Sequence, residues 1–208
     1  LPPRRSFAFF ELPRPMSVAE LRSCIAAARY PDEEVGRKWP EGTSDKEKAE
    51  FWEWFRRGGA SARERDTHWR LLYGATPVRS RLVHQGRADD AVCPHCPTGL
   101  KETVKHYFFG CEWSASLWRS LNPVFARLFR TPLPSLEHTP SDITLGLPSL
   151  RSSLPESDRR AFRLFVAISL QALHDARWAT RDGSPIRDSS KLAALIEERV
   201  IARLEDSE

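Results

Sequence analysis

Hydrophobic positions recur at three- and four-residue spacing through most of the chain, the signature of helices with one apolar stripe. Val18, Leu21, Ile25 and Ala28 follow a Ser17-x-x-Glu20 capping pattern, and Pro31 stops that helix. Ser44-x-x-Glu47 opens a second helix ended by Gly58-Gly59, and Ser61-x-x-Glu64 opens a third that runs to Tyr73, with Gly74 as its stop. Thr76-Pro77 predicts a fourth helix, with Pro77 at the first helical position and Gly86 at the end. Leu71, Leu72, Val78, Leu82 and Val83 form the inward side of this pair. A helix after Cys111 reaches about Phe129, bent at Pro123, with Trp118, Leu121, Phe125 and Leu128 at helical spacing.

Thr131 to Pro155 is a Pro-, Ser- and Leu-rich connection in which Ile143 to Leu147 is a short extended candidate. Ser157 then opens the longest helix, to about Thr180, apolar on more than one side and so expected at the centre. Ser189 or Ser190 caps a last helix with Leu192, Leu195, Ile196, Val200 and Leu204 as its stripe. The fold class is mainly α, a helical domain organised around one loop, with little or no sheet. Three stretches are expected: a flanking segment with two helices over 1–60, a compact module over 61–120, and a helical region over 121–208 after the Pro/Ser-rich connection.

That loop runs from Cys93 to Cys111. Cys93 and Cys96 make a Cys-x2-Cys pair, His106 follows and Cys111 closes the set. Thiolates and an imidazole are preferred zinc ligands, and four protein ligands with no open position mark a structural Zn2+ rather than a catalytic one. Pro94, Pro97 and Gly99 shape the first pair into a tight turn. Glu102 to Phe109 reads as a short helix carrying His106. On an unbroken α-helix His106 and Cys111 would be offset by roughly 140°, so a break at Gly110 is expected to bring Cys111 round. Free buried thiols, half of a disulfide framework, or His95 in place of His106 are the alternatives, although His95 lies inside the Cys-x2-Cys turn. Cys24 stands apart from the set and reads as a small buried hydrophobe.

The 208 residues carry a formal charge of +4, which permits a polyanionic partner without requiring one. The charge is uneven. From Arg56 to Arg87 eight arginines face only Glu64 and Asp66, a net +6, while the rest of the chain nets about −2. Arg63, Arg65, Arg70, Arg79, Arg81 and Arg87, with Lys101 and Lys105 in the loop, are the candidate phosphate contacts; a solvated helix face is the plainer reading. Phe51, Trp52, Trp54 and Phe55 read as core packing, with a base-stacking surface as the alternative.

No apolar run reaches membrane-spanning length, and Pro-Pro-Arg-Arg stands where a signal segment would need apolar residues. Clustered cysteines favour a reducing compartment, so a nuclear and/or cytoplasmic location is expected, with no membrane and no small-molecule substrate. Leu1 and a sole methionine at Met16 suggest a fragment of a longer protein or a truncated open reading frame. Catalytic patterns are weak. Asp89-Asp90 lacks the apolar strand flanks of a two-metal hairpin, His174-Asp175 sits within a helix, and no nucleophile stands beside a base.

The order of features carries a resemblance. Thr67-His-Trp-Arg-Leu-Leu-Tyr-Gly-Ala-Thr-Pro77, then Arg81-Leu82, the Cys93/Cys96/His106/Cys111 set and Leu117-Trp118 resemble the zinc-binding region that follows reverse transcriptase in non-LTR (LINE-type) retrotransposons. The likeness covers about residues 66–119. It implies a non-catalytic, nucleic-acid-binding region that helps hold template RNA or target DNA during target-primed reverse transcription. Its implied partners are RNA and/or DNA and the reverse transcriptase portion of the same polyprotein, itself an RNA-directed DNA polymerase. The alternative is a zinc-stapled scaffold that docks the polymerase or another protein through the Phe51–Phe55 helix or the last helix.

Overall fold

The computed structural model describes residues 44–57, 59–97, 99–130, 156–182 and 185–205. The expected helix from Ser17, Cys24, and the extended candidate near Ile143 lie outside them. Among the described residues six α-helices run in the order α1 (Asp45–Arg57), α2 (Ala62–Leu72), α3 (Arg79–His84), α4 (Glu112–Phe129), α5 (Glu156–Ala179) and α6 (Ser189–Glu205). The only strand-like pairing among the described residues is one antiparallel bridge, Val92 to Lys101.

α5 is the axis of the body. Every residue from Phe162 to Leu173 is buried, because other helices cover it on several sides. Phe51 and Trp54 of α1 pack with Ala60 against Ala167 of α5. α2 lies along α5, where Thr67 hydrogen-bonds Gln171 inside the contact. On another side α4 and α6 supply Phe125, Phe129, Leu192, Ile196 and Val200 to the main core. Phe125, Phe129, Phe162 and Phe165 meet mostly edge-to-face, the arrangement favoured by aromatic quadrupoles. The Trp113 indole donates to the Arg187 carbonyl at 2.9 Å and Arg127 pairs with Glu197 at 2.5 Å, fastening α4 to α6 and its lead-in.

The start of α2 follows its sequence signal. The Ser61 hydroxyl accepts from the Glu64 amide at 3.2 Å, and the Glu64 carboxylate accepts from the Ser61 amide at 2.6 Å. This capping box satisfies two otherwise unpaired donors.

Three expectations are corrected. Pro77 is not the first residue of α3: the Val78 amide turns back to the Thr76 carbonyl at 2.9 Å, a tight turn centred on Pro77, and Val78 is extended. The helix starts at Arg79, whose amide is capped by the Glu102 carboxylate at 2.9 Å, a group 23 residues away. At α6 the cap is Asp188 rather than Ser189 or Ser190, since its carboxylate accepts from the amides of Ser190 and Lys191, both at 3.0 Å. The short helix expected from Glu102 begins only after Thr103 and widens into a π-turn over His106–Gly110. The expected boundary at residue 120 lies within α4, and one cluster of buried side chains among the described residues includes both Val78 and Val200.

Candidate metal centre

The Cys-x2-Cys turn sits at the tip of a short two-stranded ladder. The Cys93 amide donates to the Leu100 carbonyl and the Glu102 amide to the Ala91 carbonyl, both at 2.8 Å. Gly99 has a φ of +64°, a left-handed conformation that L side chains resist. The ladder ends at Glu102, and Thr103 then caps the next turn, its hydroxyl accepting from the His106 amide at 3.1 Å.

The π-turn brings the third and fourth ligands together. The Cys111 amide donates to the His106 carbonyl at 2.7 Å, a bond spanning five residues instead of four. His106 and Cys111 therefore lie one widened turn apart, and the offset that separates them on an α-helix disappears. Gly110 is not among the positive-φ residues. The widening, not a left-handed break, swings Cys111 into place. Extended Cys111 then serves as the N-cap of α4.

Side chains hold the turn down. Tyr107 and Phe108 are buried in the main core. The Ser114 hydroxyl donates to the Tyr107 carbonyl at 2.7 Å, and the Trp118 indole to the Phe108 carbonyl at 2.9 Å.

The ligand atoms of Cys93, Cys96, His106 and Cys111 all lie within 4.8 Å of one another. Cys93 and Cys111 sulfurs are 3.9 Å apart and those of Cys96 and Cys111 3.5 Å; the Cys96 sulfur is 3.3 Å from His106 Nε2. A tetrahedral zinc with bonds of about 2.3 Å to sulfur sets its sulfurs about 3.8 Å apart, so this set has the size of a zinc shell. It is too wide for a disulfide, whose sulfurs sit at about 2.05 Å. Cys93, Cys111 and His106 are buried, which closes the shell to solvent on most sides. His95 is excluded as a ligand because its Nε2 turns to the Thr180 hydroxyl at 3.2 Å.

A charged pair backs the cluster. Arg177 of α5 is fully enclosed and meets Glu102 at 2.8 Å. The same guanidinium reaches the Cys93 sulfur and the Ser114 hydroxyl, each at 3.3 Å, and lies 4.2 Å over the Tyr107 ring. Zinc with three thiolates and a neutral imidazole carries one net negative charge, which Arg177 faces. The hydrogen bond between Cys93 and Cys111 holds the Cys111 thiol low and the Cys93 thiol high, and burial pushes Cys96 up, so the three cysteines share charge unevenly until a cation draws all three into the thiolate form. Burial pushes the Tyr107 hydroxyl up and holds His174 down at about 4; the two meet at 3.1 Å as a neutral pair.

Sequence reasoning passed over Arg177. The signal was present: Val166, Leu170, Leu173 and Arg177 share one helical stripe, and a charge on an apolar stripe needs a partner.

The basic candidates differ in burial and in partners. Arg81 is buried, a correction to its expected role at the surface. Its helix turns inward between Val78 and Leu82, both in the interior. Arg63 pairs with Asp175 and Arg70 with Asp66, each at 2.8 Å, and Arg65 donates to the Ala60 carbonyl at 2.5 Å. Arg79 is 3.5 Å from Asp90. Arg87, Lys101 and Lys105 are exposed. Phe51 and Trp54 are buried, as are Leu192, Ile196 and Val200 of the last helix. Both docking faces of the scaffold alternative are therefore largely spent on the core. No helix among the described residues is long and apolar enough to cross a membrane.

Comparison with known proteins agrees with this geometry. Residues 34–118 match the family model described as zinc-binding in reverse transcriptase. No curated protein and no solved structure matched the chain. The match covers the capping-box helix, the ladder, the π-turn and all four ligands, so residues 34–118 are similar to the zinc-binding region of reverse transcriptases, and the three cysteines and the histidine supply the ligands of one structural zinc.

Proposed function

We propose that this chain is a non-catalytic, zinc-stapled region that binds nucleic acid beside the reverse transcriptase of a non-LTR retrotransposon. In that setting it helps hold template RNA or target DNA during target-primed reverse transcription. One observation carries the reading: a largely buried Cys3His cluster closed by its own side chains, within residues that match a zinc-binding region of reverse transcriptase. Such a cluster leaves no position for a substrate, so its role is to fix backbone. The net positive charge between Arg56 and Arg87 supports a polyanionic partner.

The test is a titration of the zinc-loaded chain against RNA and DNA oligonucleotides at several salt concentrations. Binding that weakens steeply and linearly in log–log form supports the reading. Absence of binding to every oligonucleotide at low salt would end it.

A further inference from the structure

Beside the zinc loop a cleft of about 720 Å³ opens between the α3 end of the body and the end of α5. Its volume lies within the roughly 300–1,000 Å³ of small-ligand sites. Arg79 and Arg87 stand on one wall and Trp178 and Arg181 on the other, with Arg177 and Glu102 also in the lining.

The charges do not balance. The Glu102 carboxylate is committed to Arg177 and to the Arg79 amide. Asp89 also lines the cleft, and Asp90 reaches Arg79 only at 3.5 Å. Arg87 is exposed and makes no ion pair among the described residues. Burial lowers the proton affinity of Arg181, and the Arg79 and Arg177 charges act in the same direction against the opposing pull of Tyr107 and Glu102. An anion entering here would relieve repulsion among guanidinium groups.

The second observation is aromatic. Trp178 is 43% exposed although it is the largest side-chain type and sits on the central helix. The Arg181 guanidinium lies 4.0 Å over its ring and is held there by a 2.6 Å bond to the Pro77 carbonyl. An indole and a guanidinium plane fixed together form a platform of the kind on which unpaired bases stack. A duplex keeps its bases inside its own stack and cannot offer them to a recess.

We infer that this cleft binds a single-stranded segment of RNA or DNA, with phosphates at Arg79, Arg87 and Arg181 and a base against the Trp178–Arg181 platform. The inference rests on the nucleic-acid reading above and deepens it. The platform belongs to α5 and its extension, outside the residues 34–118 that match the zinc-binding family.

The experiment uses the full zinc-loaded chain and fluorescence anisotropy with labelled oligo-U, oligo-dT and a duplex of equal length. Trp178→Ala and Arg181→Ala should each weaken single-strand binding about tenfold or more, within the range of one lost stacking contact. Arg87→Glu should reduce it further and flatten the salt dependence. Trp178→Phe should restore most of the loss. Trp69→Ala is the control, since that ring stacks on Tyr73 and does not line the cleft. Circular dichroism and zinc content confirm that each variant is folded. Oligo-U bound better than oligo-dT, or the reverse, assigns the source of the strand. Binding that persists unchanged in Trp178→Ala and Arg181→Ala overturns the cleft and leaves the nucleic-acid reading standing. Equal affinity for duplex and single strand, or preference for a poly-glutamate peptide, also overturns it. No binding to any oligonucleotide overturns both.

Discussion

Replacing Arg177 by Met removes a cation that touches both Glu102 and the zinc-ligating Cys93. Glu102 is only 2% exposed, so its carboxylate would remain buried without its ion-pair partner. Breaking one side of a buried pair costs about 3–5 kcal/mol, far more than a surface pair is worth. At an m-value of about 2 kcal/mol/M that is a fall of roughly 1.5–2.5 M in the urea midpoint. The sulfur of Cys93 also loses a donor, and loss of such an outer contact typically lowers metal affinity about 10–100-fold. The double variant Glu102→Gln, Arg177→Met separates these effects. Gln retains an acceptor for the Arg79 amide but carries no charge, so most of the stability should return while the zinc affinity stays low. Urea unfolding of the zinc-loaded chain measures the first quantity, and competition with a calibrated chelator the second. A single variant within about 1 kcal/mol of wild type, or a double variant no more stable than the single, would refute the buried-pair account.

Two further outcomes follow from the same geometry. Cys111→Ser should drop zinc stoichiometry well below one and abolish the near-ultraviolet dichroism of the core, as should chelation of the wild type, because a structural zinc contributes on the order of 10 kcal/mol to folding; a metal-free chain with an intact signal would contradict this. Because His174 is held at about 4 when folded, against 6.5 when unfolded, its neutral form supports stability above pH 6.5. That support is lost as pH falls towards 4, up to about 3 kcal/mol. His174→Gln should remove the extra slope relative to wild type; identical pH profiles would count against it.

Much of this was legible from residues alone, and the reasons differ by element. The capping box at Ser61 and the four zinc ligands are local patterns, set by spacing over a few residues, and local patterns survive in one dimension. The start of α3 was misplaced because its cap comes from Glu102, which no window around Pro77 contains. The π-turn was missed because its sequence, His-Tyr-Phe-Phe-Gly, is equally compatible with an α-turn; only the demand that His106 and Cys111 share one ion selects the wider form. Arg81 and Arg87 look alike in sequence. One is buried and the other exposed, because α3 is short and turns its middle inward.

The distribution of partners around the metal centre also explains why the residues beyond the family match matter to it. A zinc loop tied only to itself would leave Tyr107 and Phe108 in water. Here both rings are buried, in a core that α5 and α6 complete. Glu102 ends the ladder, caps α3 and receives Arg177 from α5, so one carboxylate joins three elements. The ion fixes the loop, the loop fixes Glu102, and Glu102 fixes both α3 and the end of α5. Arg79 and Trp178 ride on those two elements. The separation of the cleft walls is thus set through the metal, although no ligand of the metal lines the cleft.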